Sequence, residues 1–362
     1  MTSTPARPRD GSATRPPARI ALMGAGLIGR EHARLIAAHP QAQLVGIADL
    51  SAEARALARE LDVPFFDDSE RMLAQTSPDG AIVALPNTLH LPAGLACIAR
   101  GIPVLVEKPV ADTVAAAMSL VHAGEAAGVP ILVGHHRRHS PDIQAARSAI
   151  ARGELGPIVA VHGMCLVKKH ERYYDADWRR RPGGGPLLIN AIHDVDCLRC
   201  LCGEIDTVSA IASNAARGFE VEDTAAVVMQ FRNGALGTFL LSDAVPSPYF
   251  WETASGQALY FPAQPANAFV IGGRNATLAV PAMDLWRHEG DGDWRDPLVR
   301  RHLAPERASC YVRQLDNLVA VIRGQAEPVV TGRDGAMTLA VTLAIERAAR
   351  ERRPVSVDEM FD

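Results

Sequence analysis

Gly24-Ala25-Gly26-Leu27-Ile28-Gly29 constrains this chain more than any other six residues. It follows an apolar run, RIALM, and opens a stretch with helical periodicity. A strand that turns at once into a helix is the start of a βαβ unit, and each glycine has a separate task in the turn. Gly24 permits the tight bend, Gly26 lets a pyrophosphate approach the main chain, and Gly29 lets the helix close on the strand. The helix N-terminus, with Leu27 and Ile28 in its first turn, offers oriented N–H donors to an anion. Asp49 ends the second apolar run, placed to accept hydrogen bonds from adenosine ribose hydroxyls. A carboxylate there repels a 2′-phosphate, so the reading is NAD, with NADP disfavoured.

The rest of the first half repeats this rhythm. QLVGIAD, AIVALP, PVLVEKP and ILVG alternate with helical stretches, which implies right-handed crossovers and a doubly wound parallel sheet. Ligands collect at the carboxyl ends of such strands. One end carries Leu85-Pro86-Asn87-Thr88-Leu89-His90. Either Asn87 or Thr88 caps the next helix, or Pro86, Asn87 and His90 line the nicotinamide half of a cofactor site. Another end carries Glu107-Lys108-Pro109 after an entirely apolar run. An ammonium beside a reacting carbon lowers the pKa of a substrate hydroxyl, polarises a carbonyl in the reverse direction and relays a proton. Glu107 is positioned to pair with it, and Pro109 to fix the backbone leaving the strand.

From about Ile158 the pattern changes to longer alternating runs, IVAVHGMCLV, TVSAIAS and AAVVMQFRNGALGTFLLSD. The last reads as two strands joined at Asn233-Gly234, so antiparallel sheet is expected here. Between these runs Gly183-Gly184-Gly185-Pro186 introduces the helix LLINAIHDVDCLRCL. Helical spacing puts Ile189, His193 and Asp196 or Cys197 on one side, with Asn190 and Asp194 rotated away. Cys197, Cys200 and Cys202 are read as small hydrophobes of this helix, and no metal is expected.

GxGxxG, the acidic strand end, PNxxH and EKP, followed by GHHRRHSP at 134–141 and WRRRPGGGPLLINAIHDVD at 178–196, resemble the glucose-fructose oxidoreductase, inositol dehydrogenase and rhizopine-catabolism family. The resemblance implies a Rossmann domain over 19–141. A second α/β domain over 142–362 would carry a large open, mostly antiparallel sheet that mediates homodimers or homotetramers. It implies that Lys108 lies between nicotinamide ribose and substrate hydroxyl, and that His193 exchanges a proton with that hydroxyl. Sugar and inositol dehydrogenases of the family commonly carry an aspartate four residues before this histidine; this chain has Ile189 there and the non-titrating Asn190 next to it. Lys168, Tyr173 and Trp178, from a polar segment read either as a solvated loop or as the border of the substrate pocket, join Arg137 and Asn190 as candidate substrate contacts.

Composition narrows the partners. With 37 basic and 41 acidic side chains and a net charge of −4, neither nucleic acid nor a membrane surface is indicated, and a small-molecule substrate is expected. Residues 1–18 read as a disordered tail, and the absence of a long apolar stretch points to the cytoplasm. The expected activity is hydride transfer between nicotinamide and a secondary alcohol of a sugar-like, polyol or cyclic diol substrate. Two rivals remain open: a redox-neutral glycosidase holding NAD, and a sensor that binds NAD without chemistry.

Overall fold

The computed structural model describes residues 15–258 and 261–362. Of the expected tail, residues 1–14 lie outside the described residues, while Ala18 already opens the first strand.

The first sheet holds β1 (Ala18–Met23), β2 (Ala42–Ala48), β3 (Phe65–Phe66), β4 (Gly80–Val83), β5 (Val104–Val106) and β6 (Ile131–Val133), in the order β3-β2-β1-β4-β5-β6. All five pairings are parallel. The two-residue β3 escapes a search for apolar runs because it is too short to show a period. β1 pairs with β2 on one side and β4 on the other, so the chain reverses its direction of travel across the sheet there. That reversal opens a crevice at the carboxyl ends, bordered by the glycine turn and the ends of β4 and β5.

The second sheet comprises β7 (Ile158–Leu166), β8 (Ile205–Ser213), β9 (Thr224–Phe231), β10 (Leu236–Ser242), β11 (Phe269–Gly273), β12 (Thr277–Val280), β13 (Asp284–Arg287), β14 (Val299–His302) and β15 (Val355–Ser356). Their order is β14-β13-β12-β11-β7-β10-β9-β8-β15. Every pairing is antiparallel except β7 with β10. The hairpin at Asn233-Gly234 forms as expected: β9 and β10 pair antiparallel and Gly234 takes a φ of +88°. β9 and β10 alternate between buried and exposed residues almost without a break. One face packs on helices; the other leaves Ile211, Val228, Leu236 and Leu240 exposed.

Two late helices tie the sheets together. Helix Cys310–Ile322 returns to the first sheet, where Leu315, Leu318 and Val319 share a core with Ile20, Leu22 and Leu105. Helix Gly332–Glu351 packs Gly335 against Val133 of β6 and accepts Arg199 from helix Ile192–Cys202 at Asp334 and Thr338. Among the described residues no helix is long and apolar enough to cross a membrane.

Candidate active site

The glycine turn is built as its sequence requires. Gly24 has a φ of +86°, and a Cβ on Gly29 would strike the Gly24 carbonyl oxygen at 2.1 Å. Nothing lies within 4 Å of where a Gly26 Cβ would stand, and no side chain caps the helix Leu27–Ala38. Its first N–H groups are therefore open to an anion. Asp49 accepts from Ala25 N–H and Ser51 N–H, each at 2.7 Å, so it braces the turn from the end of β2. Burial works against its charge, but these N–H donors hold its carboxyl below the ordinary range. Leu27 at the start of this helix and Leu50 next to Asp49 in sequence are each 87% exposed, apolar surfaces fit for a nucleotide to cover. Ile28 is half-buried behind them.

At the end of β4, Pro86 is exposed and Asn87 half-buried, opening a short turn Asn87–Leu89 that no side chain caps. His90 departs from the expectation. It is 1% exposed, with Nδ1 2.8 Å from the Pro109 carbonyl and Nε2 2.7 Å from that of Leu85. It ties the ends of β4 and β5 together as a strut and presents nothing to a ligand. Glu107 departs too. Its buried carboxylate accepts from His32 Nε2 at 2.8 Å and from the Lys108 N–H at 3.2 Å, so it faces the protein and not the crevice.

Lys108 leaves β5 through a cis bond to Pro109 and is half-buried. Its Nζ donates to the Ile189 carbonyl at 3.0 Å. That carbonyl belongs to a π-helical turn, Leu187–Ala191, which runs directly into helix Ile192–Cys202 and its His193. The spacing argument assumed α geometry throughout; the wider i→i+5 turn changes the phase between residue 189 and residue 193. The result brings the lysine from one sheet to within one helical turn of the histidine from the other half. Burial lowers the Lys108 pKa to about 8, with Glu107 opposing and the Arg137 and Lys169 cations assisting. Burial, then the charge of Lys108, pushes His193 well below its usual value, so the imidazole is neutral. Its Nδ1 and the Asn190 Oδ1 are buried without partners among the described residues.

Arg137 corrects a further expectation. It is 1% exposed and fully engaged: Nη1 to Asp194 at 2.7 Å and Nη2 to Glu252 at 2.8 Å. Next to it, Arg138 grips Asp196 through Nε and Nη2 at 2.8 and 2.7 Å. The two arginines of GHHRRH thus hold the two aspartates of HDVD, and the residue clamped into place is His193. His136 completes the packing, edge-on to His193 with centroids 4.9 Å apart and stacked on Tyr311 at 4.3 Å.

In the polar segment the expected lysine and its neighbour take different environments. Lys168 is exposed and bridges Ala244, whereas Lys169 is largely buried, 3.4 Å from Asp243 and 4.5 Å from the Tyr173 ring. Tyr173 lies between Lys169 and Arg179, whose guanidinium is 4.0 Å from the ring; Trp178 beside it is 52% exposed. Successive side chains of extended backbone point to opposite faces, a signal that separates the two lysines only when the strand is known. Of the chain's 37 basic residues, just Lys108, Lys168 and Lys169 are lysines. Arginine stays charged at any working pH, so a titratable cation is kept for this corner of the molecule.

Two family models match the chain: an oxidoreductase family with an NAD-binding Rossmann fold over residues 18–135, and the GFO/IDH/MocA C-terminal domain over 143–279. The chain belongs to the GFO/IDH/MocA oxidoreductases. It is an NAD-dependent dehydrogenase of that family. A 1,5-anhydro-D-fructose reductase from Ensifer adhaerens is 30% identical over 346 residues, covering 94% of this chain and 98% of the relative. An inositol 2-dehydrogenase from Rhizobium meliloti is 29% identical, covering 94% and 99%. Among solved structures, the WlbA dehydrogenase from Bordetella pertussis in complex with NADH and UDP-GlcNAcA is 28% identical. It has a TM-score of 0.76 and covers 94% of this chain and 98% of its own.

Proposed function

We propose that the enzyme oxidises a secondary alcohol of a sugar-like, polyol or cyclic diol substrate, or reduces the matching ketone, with Lys108 and His193 handling the proton. Bound NAD supplies the hydride acceptor. The glycine turn, the open helix N-terminus, Asp49, Pro86 and Asn87 hold it. In the oxidation direction the neutral His193 accepts the hydroxyl proton, and the Lys108 ammonium, fixed by the Ile189 carbonyl, stabilises the developing negative oxygen. Asn190 orients a hydroxyl but takes no proton. Lys169, Tyr173 and Trp178 border the substrate, with residues 19–141 serving the cofactor and 142–362 the substrate and self-association.

The observation that carries this reading is the 3.0 Å bond from Lys108 to the Ile189 carbonyl, which joins the cofactor half to the histidine-bearing half. Screening the purified protein with NAD against polyols, sugar acids and cis-dihydrodiols, following NADH formation at about 340 nm, tests it. Substrate-dependent NADH formation that disappears in Lys108→Ala is expected; turnover of a glycoside with no net NADH would favour the redox-neutral rival.

The apolar open face of the second sheet supports self-association as a homodimer or homotetramer, because an uncovered sheet face with four exposed aliphatic side chains needs a cover. Light scattering should give a mass at least twice 38.7 kDa; a monomer at micromolar concentration would end this part of the proposal.

A further inference from the structure

Below the cofactor crevice lies a pair that the reaction as described does not use. His32 sits on the helix Leu27–Ala38, the helix whose N-terminus faces the pyrophosphate position, yet its side chain points inward and is 5% exposed. It donates to Glu107, itself 6% exposed, and Glu107 in turn accepts the main-chain N–H of Lys108. Gly134 closes the third side: a Cβ there would come within 2.7 Å of the Glu107 carboxyl carbon, so the pocket leaves the carboxylate no room to turn away. The other ionisable groups whose charge reaches this corner are His90, Asp112, His135, His136, Arg137, Lys169, His193 and Glu252. Among the described residues, none of these is hydrogen-bonded to Glu107.

Building on the reading of Lys108 above, we infer that His32 and Glu107 are positioning residues that lock the catalytic lysine to the pyrophosphate-binding helix. Movement of that helix is transmitted through two hydrogen bonds to the backbone of Lys108, and the Glu107 charge, ahead of that of Glu252, favours the ammonium. Deleting the His32 donor leaves a buried carboxylate unpaired, and such a group takes up a proton or rebuilds its surroundings. Either way Lys108 loses its counter-charge, so His32→Leu and Glu107→Gln should converge on one behaviour.

The measurement is the pH dependence of Lys108 acylation by an amine-selective reagent, followed on the Lys108 peptide by mass spectrometry in the full-length protein. It needs no substrate, so it reads the pair even if the proposed alcohol chemistry fails. Glu107→Gln should lower the Lys108 midpoint by about 1 pH unit, the effect of removing one opposite charge at this range. His32→Leu should lower it similarly, the double variant no further, and His32→Gln, which keeps a donor, should recover most of the shift. With a substrate from the screen, the same variants should lose about tenfold or more in kcat, with smaller changes in NADH affinity measured by fluorescence titration. A midpoint unmoved in Glu107→Gln overturns the inference. A midpoint moved in Glu107→Gln but not in His32→Leu overturns the role of His32. Should His32→Leu fail to fold, His32→Asn, whose amide is too short to reach Glu107, takes its place, and a Lys108 midpoint unmoved in that variant overturns the role of His32.

Discussion

The two sides of the active site are held together by different physics. The cofactor side rests on main-chain geometry: Gly24 in a left-handed conformation, Gly29 packed on the Gly24 carbonyl, and Asp49 gripping the N–H groups of Ala25 and Ser51. The proton-handling side rests on buried ion pairs between distant segments, Arg137 with Asp194 and Glu252, and Arg138 with Asp196 and Asp334. One side tolerates few changes of residue size; the other tolerates few changes of charge. Local rules make the first side robust, whereas the second depends on both members of each pair being present.

The largest expected effect breaks the second side. Arg137→Met should cost about 3–5 kcal/mol of stability, because it strands Asp194 and part of Glu252 in the interior. Burial already raises the Asp194 pKa to about 6, against the pull of Arg137. Without Arg137 the folded pKa rises further above the unfolded value, so the folded state binds the extra proton more readily. The deficit should therefore be greatest above neutral pH and shrink as pH falls toward 6 and below. Denaturation curves at several pH values check both size and sign; a pH-independent loss would mean that packing, and not charge, was removed.

Next comes the chemistry that these pairs hold in place. Lys108→Ala and His193→Ala should each lower kcat by about 10²-fold or more, while NAD affinity changes far less. The double variant should fall well short of the product of the two losses, since residues acting as one unit are not additive. Asn190→Ala should act mainly through KM. With Lys108 near 8, kcat/KM should decline as pH rises through about 8, where the ammonium is lost. A His193→Ala enzyme with near-normal kcat would reduce the histidine to a packed helix residue.

The same contrast explains what could be read from the chain alone. The parallel sheet, the glycine turn, Asp49 and the Asn233-Gly234 hairpin were legible because each depends on a short window of residues. His90 and Glu107 both lie at ligand-binding strand ends, and only the fold shows that their polar atoms turn inward onto Leu85, Pro109 and His32. Arg137 looked like a substrate contact because its partners lie 57 and 115 residues away. The π-helical turn was invisible for another reason: an α-helical template admits no change of phase, and nothing in LLINA announces one. Which of Lys168 and Lys169 turns inward is not legible in the chain, because adjacent residues of an extended segment differ only in which face they take.

The smallest expected effect sharpens the comparison from the cofactor side. Asp49 braces the Ala25 and Ser51 N–H groups, and in the proposed function its remaining lone pairs face ribose hydroxyls. A 2′-phosphate would meet this negative charge, so NADH should bind more tightly than NADPH in fluorescence titrations. Asp49→Asn keeps an acceptor of similar shape and removes the charge; Asp49→Ser removes most of the reach as well. Both should narrow the preference, by about 5- to 10-fold, the worth of roughly one hydrogen bond. Asp49→Ser should also weaken NADH itself, because the glycine turn loses its brace. If main-chain geometry dominates this side, the fold and the pairing of Lys108 with Ile189 survive in both variants, and Lys108 acylation keeps its midpoint. NADPH binding as tight as NADH in the unmodified enzyme would show that Asp49 serves the turn alone.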